Sequence, residues 1–340
     1  MFRETRHRYP IVLWTGLGLV LIMAYFSLTC GVMEITVQDV LKTLARIDPL
    51  RQYDLLILEF RLPRIITAGL VGAALGIAGT VIQGITRNGL ADPGILGINS
   101  GAGVGIVIYI LFFQEKINSS DWFAVMAMPF CGLIGGLGTA LFIYYLARHN
   151  GQLDPQRLLL TGIAIGSGLG GVILYLTLRM GSGDFQVMTI WLTGSIDKAN
   201  WKQIAAVLPW LIALIPLLFR KSPLLDLFQL EECTVKSLGV AIEKEKAFFL
   251  LGSVGLVSAC VAIAGGISFV GLIVPHIAKR LVGTAHRQII GISAIVGMVL
   301  VISADLIAKT LFAPAEIAVG IVISLIGAPY FIYLLSTVKA

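Results

Sequence analysis

Long uncharged stretches recur along the chain and are separated by short segments that hold nearly all of its charge. A membrane-spanning helix needs about 20 apolar residues, and nine uncharged runs have a length near or above this requirement. Eight of them predict one spanning helix each, and the remaining run is longer. The nine runs are residues 11–33, 65–86, 93–114, 122–147, 158–178, 203–219, 247–278, 288–304 and 317–338.

The run 247–278 is too long for one helix that lies straight across a bilayer. Its 32 residues would form a helix ~48 Å long at about 1.5 Å per residue, whereas the hydrocarbon core is about 30 Å thick. Gly265 and Gly266 lie in its middle and provide a natural break. The run therefore predicts either one long tilted helix or two spans, of which the second is short.

The distribution of Lys and Arg favours two spans in this run, and thus ten spans in total. With the N-terminus in the cytoplasm and ten spans, 15 of the 25 Lys and Arg residues lie on the cytoplasmic side. With nine spans the division becomes 12 inside and 13 outside. Because the cytoplasmic loops of membrane proteins carry an excess of Lys and Arg, ten spans fit the sequence better.

The composition agrees with a multi-pass membrane protein and argues against several other classes. Of the 340 residues, 57% are hydrophobic and only 13% are charged, whereas soluble domains have about 25% charged residues. The net charge of +6 does not indicate nucleic-acid binding, because no basic patch carries interleaved aromatic residues. The four cysteines form no C-x-x-C pair, and we expect neither a metal site nor a cofactor.

The chain also contains a weak internal repeat. Residues 71–79 (VGAALGIAG) resemble residues 257–265 (VSACVAIAG), and a segment broken by Pro or Gly follows each of them. The offset of 186 residues corresponds to five spans, and an odd number of spans gives two halves of opposite topology, as in inverted-repeat transporters. We therefore predict a single transmembrane domain, 1–340, with repeats at about 11–180 and 200–338.

Glycines recur four residues apart in these runs, which lets membrane helices approach one another closely. The pairs are Gly72/Gly76, Gly132/Gly136, Gly162/Gly166 and Gly166/Gly170. Residues 166–171 also match the G-x-G-x-x-G pattern of nucleotide-binding folds, but no strand precedes them. We therefore interpret this match as part of an apolar helix.

The spans contain almost no ionisable residue, which argues against an ion-coupled carrier, since such carriers place ionisable side chains inside the membrane. We expect Asp305 to pair with Lys309 one helical turn away, and His276 to have a structural role. The chain also lacks the G-x-x-x-x-G-K-[ST] motif of an ATPase. If ATP drives transport, another chain hydrolyses it and docks on the charged loop 220–246. An ion-coupled secondary transporter remains the alternative.

Three stretches of the chain carry a distinctive pattern. They are Arg61-Leu-Pro-Arg64 together with residues 83–103 (QGITRNGLADPGILGINSGAG), the loop 232–239, and residues 269–329, which begin FVGLIVPHIAKRLVG. In these stretches the chain resembles the FecCD-type permeases, the membrane subunits of binding-protein-dependent ABC importers for iron-siderophores, haem and vitamin B12. The similarity covers nearly the whole chain.

The resemblance implies an all-α polytopic membrane protein with about ten transmembrane helices in two inverted five-helix halves, like the vitamin B12 permease. It implies a multi-pass permease of the bacterial plasma membrane that is not itself an enzyme and that carries a ferric siderophore into the cytoplasm. The implied partners are a cytoplasmic ABC ATPase dimer, an extracytoplasmic substrate-binding protein, and a second permease subunit that is either identical or homologous. Vitamin B12 and haem remain alternative substrates.

The resemblance also assigns residues to the two partner proteins. Arg61, Arg64 and Lys309 match positions at which relatives dock the binding protein, although relatives often have Arg at the position of Lys309. One further segment matches the part of relatives that fits a groove on the ATPase, with an apolar anchor followed by a turn. The residues of this coupling segment are Glu231, Glu232, Lys236, Leu238 (the anchor) and Gly239 (the turn).

The transport path is assigned in the same way. Asp154, Pro155 and Gln156 match the position of a cytoplasmic gate, although relatives often have small hydroxyl residues there. Asn99 and Ser100 open the third span, where they either face the path or cap their helix. The resemblance implies no catalytic residue and no metal ligand.

Overall fold

The computed structural model describes residues 2–31, 36–44, 46–47, 51–113, 122–149, 152–311, 313 and 315–337. Within these residues the chain is almost entirely helical, as the sequence predicts, apart from one short hairpin. The ends of three uncharged runs, 32–33, 114 and 338, lie outside the described residues.

The helices follow one another with short connections. They are α1 (Phe2–Thr29), α2 (Val37–Leu44), α3 (Arg51–Asp54), α4 (Leu62–Thr86), α5 (Ile98–Phe113), α6 (Trp122–Ala147), α7 (Pro155–Thr177), α8 (Ser182–Thr193), α9 (Trp201–Lys221), α10 (Pro223–Leu227), α11 (Glu232–Ser237), α12 (Ile242–Ala264), α13 (Val270–Val282), α14 (His286–Thr310) and α15 (Val319–Thr337). A π-helical turn, Leu55–Arg61, joins α3 to α4, and a 3-10 turn, Pro93–Leu96, precedes α5. Strands β1 (Arg148–His149) and β2 (Gln152–Leu153) pair antiparallel.

Eight helices in the described part of the chain are long and apolar enough to cross a membrane. Two shorter helices, α5 with 16 residues and α13 with 13 residues, lie between them in the chain. Of these two, α5 is the shorter apolar helix, so the described residues hold eight candidate spans and one shorter apolar helix, and the count of ten spans stays a prediction. The two segments of the predicted repeat, 71–79 and 257–265, lie in α4 and at the end of α12, and the repeat itself stays a prediction.

The long run 247–278 forms two helices, and the break falls where the sequence predicts it. Helix α12 ends at Ala264, and Gly265 adopts a positive φ of 72°. A Cβ atom at Gly265 would lie 2.0 Å from the carbonyl oxygen of Trp191 at the end of α8. Only glycine combines this backbone conformation with so close an approach, and the chain then restarts as α13 at Val270.

Helix α4 lies at the centre of the bundle, and most of its residues are buried. It contacts α14 through backbone rather than through side chains, because Gly72 faces Gly297. A Cβ atom added at Gly72 would lie 2.2 Å from the carbonyl oxygen of Gly297, and one added at Gly297 would lie 2.0 Å from the carbonyl oxygen of Gly72. Gly76 faces the backbone of Ser293 in the same way. Small residues thus let these helices pack closely, as their spacing predicts.

The segment between α4 and α5 becomes buried from Ala91 onwards. Asp92 and Pro93 approach α13 so closely that a Cβ atom at Gly271 would lie 2.5 Å from Pro93 Cδ. Gly271 in turn meets Gly79, which lies about two turns from the end of α4. Helix α5 therefore starts within the depth of the bundle, and its first turn presents Asn99 to the interior.

We predict that Gly72→Ala destabilises the protein, because the added methyl group must displace the α14 backbone. Overpacking of this kind costs about 1–3 kcal/mol, which would lower the thermal unfolding midpoint of the purified protein in detergent. Gly138→Ala in α6 is the matched control, since no heavy atom lies within 4 Å of a Cβ atom at that position. Equal midpoints for the two variants would contradict the packing described here.

Candidate functional site: two charged ends and a cavity between them

A buried ion-pair network, which we call the Arg64 cluster, lies at one end of the bundle. It comprises Arg61, Arg64, Asp305, Lys309 and Glu316. Arg64 Nε donates to Asp305 Oδ1 at 2.8 Å, and Arg64 Nη1 donates to Glu316 Oε2 at 2.8 Å. Asp305 is fully buried, whereas the Glu316 side chain is 39% exposed. Arg64 thus joins a deep carboxylate of α14 to a shallow carboxylate that precedes α15.

The two other cations of the cluster bind the end of α1. Arg61 donates to the carbonyl oxygens of Leu28 and Thr29. Lys309 Nζ donates to the carbonyl oxygen of Ser27 at 2.6 Å and to its hydroxyl at 2.8 Å. These carbonyl groups belong to the last turn of α1, which has no intrahelical donors for them.

The expected pair between Asp305 and Lys309 is therefore wrong. The two residues lie one turn apart on α14, but Lys309 extends towards Ser27 and Asp305 binds Arg64 of α4. The physical reason is that α4 brings the Arg64 guanidinium group directly to the Asp305 carboxylate, while the carbonyl and hydroxyl oxygens of Ser27 bind the Lys309 ammonium group.

The three predicted docking residues, Arg61, Arg64 and Lys309, thus lie together, but their side chains are largely buried and bind groups of their own chain. They border a cavity of about 510 Å³ that also reaches two acidic side chains, Asp197 and Glu316. The cavity is therefore lined by side chains of opposite charge, and it lies at the same end of the bundle as the Arg64 cluster.

The predicted coupling segment lies at the opposite end of the bundle. Residues 232–237 form α11, which Val235 anchors by its buried side chain. The predicted anchor Leu238 is 60% exposed, and Lys236 is exposed beside it. Gly239 has a φ of 79°, which permits the sharp turn expected of it. The segment therefore presents an exposed apolar side chain on a short helix.

Glu232 fixes this segment to the start of α12. Lys246 Nζ donates to Glu232 Oε1 at 2.7 Å, and this hydrogen bond holds the pKa of Glu232 below its ordinary value of 4.5. A carboxylate with a lowered pKa stabilises the folded state above its unfolded-state pKa and stops doing so only as the pH falls through the lower folded-state value. The pair is therefore intact at neutral pH. Glu231 precedes α11 and is exposed.

The predicted gate residues begin α7 immediately after the hairpin. Asp154 caps the helix, because its Oδ1 accepts hydrogen bonds from the backbone N–H groups of Gln156 and Arg157 at 2.9 and 3.3 Å. Pro155 occupies the first helical position, where a missing N–H costs nothing. Gln156 is exposed. Asp154, which stands where relatives often have a small hydroxyl residue, thus serves as the N-cap of α7.

A cavity of about 380 Å³ lies between α5, α7 and α8. Asn99 and Ser100 both line it, together with Gly170, Leu174 and Trp191. The Asn99 side-chain oxygen is buried and has no hydrogen-bond partner, so it does not cap α5. Asn99 therefore borders this cavity, and its place on a transport path stays a prediction.

Several polar contacts were not predicted from the sequence. Glu243 Oε2 accepts a hydrogen bond from the backbone N–H of Leu153 at 2.7 Å, and Asp226 Oδ1 lies 2.6 Å from His286 Nδ1. The second contact borders a cavity of about 660 Å³ that also contains Arg87 and Lys279. A lone charge next to an apolar run was the available signal for Arg64 and Asp305, but no local signal pointed to Glu243.

In the described residues, eight helices of membrane-spanning length, glycine-mediated packing and charged ends define a helical multi-pass membrane protein. The chain belongs to the FecCD transport family, whose model matches residues 19–337. It is 51% identical over 319 residues to the iron-uptake system permease protein FeuC of Bacillus subtilis, covering 94% of this chain and 95% of the relative.

Two further similarities extend over almost the whole chain. The iron(3+)-hydroxamate import system permease protein FhuG of Bacillus subtilis is 41% identical over 333 residues, with 98% of each chain covered. A solved metal-chelate type ABC transporter in an inward-facing conformation matches with a TM-score of 0.83 and 29% identity, covering 97% of this chain and all of the other. The family and the fold expected from the sequence are thus confirmed.

We predict that Arg64→Gln strongly destabilises the protein, because it leaves the fully buried carboxylate of Asp305 without its cation. Breaking one side of a buried ion pair costs about 3–5 kcal/mol. Glu316→Gln is the matched control, since its side chain is partly exposed and the pair of Arg64 with Asp305 persists. Thermal unfolding in detergent measures both, and an equal loss for the two variants would contradict the buried position of the pair.

Proposed function

We propose that this chain is the permease subunit of a binding-protein-dependent ABC importer that carries a ferric siderophore across the bacterial plasma membrane. The observation that carries this proposal is the 51% identity, over 94% of the chain, to an iron-uptake permease. The hydroxamate-system permease supports the same substrate class. A siderophore already fills the coordination sphere of iron, so the proposal requires no metal ligands in the chain.

Energy for transport comes, on this proposal, from an ATPase dimer that binds the coupling segment. The segment supports the role because it combines an exposed apolar anchor, Leu238, with a glycine turn and with flanking charges. The Lys246–Glu232 pair holds the base of the segment to α12. The segment can therefore transmit force to the bundle instead of bending alone.

Docking of the substrate-binding protein is assigned to the Arg64 cluster. Arg64 holds two carboxylates, and only that of Glu316 is accessible from the end of the bundle. A carboxylate of the binding protein can replace Glu316 on Arg64 while Asp305 keeps the guanidinium in place. Exchange of one carboxylate for another positions the binding protein on the permease and leaves no buried charge unpaired.

This exchange predicts that Glu316→Gln strengthens docking, because a neutral amide holds Arg64 less tightly than a carboxylate does. We expect the affinity for the substrate-binding protein to rise about fivefold, or ~1 kcal/mol, in a binding assay with the permease in lipid nanodiscs. The control is Glu59→Gln, which removes the same charge from an exposed side chain at the same end. An equal rise for both variants would indicate a general charge effect and contradict the exchange.

The path is assigned to the free face of α7. Asn99 and Ser100 line the cavity of about 380 Å³ together with Leu174 of α7. Residues 154–156 form the gate at the start of the same helix. Leu160 and Leu174 of α7 are both more than 60% exposed. A second permease subunit, identical or homologous, would cover this face and complete the path. Its apolar lining would hold the siderophore loosely and leave selectivity to the binding protein.

Uptake of radio-iron-loaded siderophores by iron-starved cells tests the function. We predict that deletion of the gene abolishes uptake of one siderophore class and that the wild-type gene restores it. Leu238→Asp should not restore uptake, because a charge replaces the apolar anchor, whereas Leu238→Met keeps the anchor and should restore most of it. Membrane levels of both variants serve as the expression control.

Two outcomes would contradict this account. Unchanged iron uptake for every siderophore class would exclude the substrate and point to vitamin B12 or haem. Full rescue by Leu238→Asp would place the ATPase contact elsewhere or favour an ion-coupled carrier.

A further inference from the structure

Two polar contacts connect the first turns of α12 to two separate segments of the chain. Lys246 Nζ donates to Glu232 Oε1 of the coupling segment at 2.7 Å. Glu243 Oε2 accepts from the backbone N–H of Leu153 at 2.7 Å, directly before the gate residues. Glu243 and Lys246 are three residues apart, so they lie on the same face of α12. One helix face therefore contacts both the coupling segment and strand β2 with the adjoining Asp154, which we call the gate loop.

Both contacts are partly buried. The Lys246 side chain is only 4% exposed, although its partner Glu232 is 39% exposed, and the apolar residues beside the contacts, Leu153, Val235 and Ile242, are buried. Water therefore competes less for these hydrogen bonds than it would at a fully exposed surface. The contacts hold α11, the start of α12 and strand β2 together as one unit.

The unpaired oxygen of Glu243 is a further indication. Its Oε1 atom is buried and has no hydrogen-bond partner. A buried unsatisfied oxygen costs free energy, so Glu243 keeps its carboxylate at this cost while its other oxygen accepts from Leu153. The carboxylate is explained if its contact with the gate loop serves transport rather than stability.

We propose that the first turns of α12 transmit movement of the coupling segment to the gate, with Glu243 as the positioning residue that holds the gate loop. The inference rests on the proposed function, because it needs an ATPase at α11 and a gate at the start of α7. Movement of α11 passes through Glu232 and Lys246 to α12. Glu243 then moves Leu153, and with it the cap of α7 at Asp154.

The test uses the complete transporter, with the ATPase and the substrate-binding protein, in proteoliposomes. ATP hydrolysis and uptake of a radio-iron-loaded hydroxamate or catecholate siderophore are measured in the same vesicles. We expect Glu243→Ala to lower the ratio of uptake to ATP hydrolysed at least about fivefold, the lower end of typical coupling between sites. Hydrolysis itself should stay within about twofold of wild type, because the ATPase contact is untouched.

Two matched variants separate this role from a structural one. Glu243→Gln should restore the ratio, because its amide oxygen can accept the same backbone hydrogen bond. Glu245→Ala should leave the ratio unchanged, since Glu245 lies in the same turn of α12 but binds Lys221 instead of the gate loop. A general weakening of α12 would lower the ratio in both alanine variants and would overturn the proposal.

A second variant keeps the proposal testable if Glu243→Ala does not assemble. Lys246→Met breaks the other contact from the α12 side, and the partly exposed Glu232 side chain tolerates the loss of its partner. It should likewise lower uptake per ATP while hydrolysis continues, because Lys246 lies outside the coupling segment. Unchanged ratios in Glu243→Ala or Lys246→Met would overturn this inference alone, whereas a wild-type transporter without ATP-dependent uptake would overturn the proposed function and this inference with it.

Discussion

The close contact of glycine backbones around α4 is the constraint on which the rest of the structure depends. Lipid offers no hydrogen-bond partners, and burial of apolar side chains supplies little attraction between helices that lipid already surrounds. Association then relies on tight packing, which Gly72 and Gly297 allow between α4 and α14, and Gly79 and Gly271 allow between α4 and α13. These contacts fix α14 and α13 on α4, and so place Asp305 opposite Arg64 and the buried turn Pro93–Leu96 before α5.

Most charged residues of the described chain lie at the two ends of the bundle, apart from the buried Asp92 before α5, and the two ends differ in character. At one end Arg64 joins three chain segments through Asp305 and Glu316, so the ion pairs hold the helices together as well as offering a replaceable carboxylate. At the other end the charged residues surround short, exposed elements, of which α11 is the clearest. On the proposed function, the first end serves recognition of the binding protein and the second end serves movement, and the apolar spans lie between them.

Much of the fold could be predicted because its signals are local. The uncharged runs indicated the spans, and Gly265 indicated the break between α12 and α13. The turn at Gly239 also follows from nearby sequence, whereas the cap formed by Asp154 was not predicted. Pairings between distant segments could not be predicted in this way. Arg64 and Asp305 lie 241 positions apart, so helical spacing suggested Lys309 instead. The bond of Glu243 could not be predicted either, because its partner is the backbone N–H of Leu153, a group that does not depend on the side chain.

The central claim is that the chain is a passive permease driven by a separate ATPase. The most direct measurement is siderophore uptake into proteoliposomes that contain the permease with or without its ATPase, after ion gradients have been collapsed by ionophores. The account predicts uptake that needs ATP and the ATPase and that survives the loss of the gradients. Uptake by the permease alone, driven by an ion gradient and lost with it, would contradict the account.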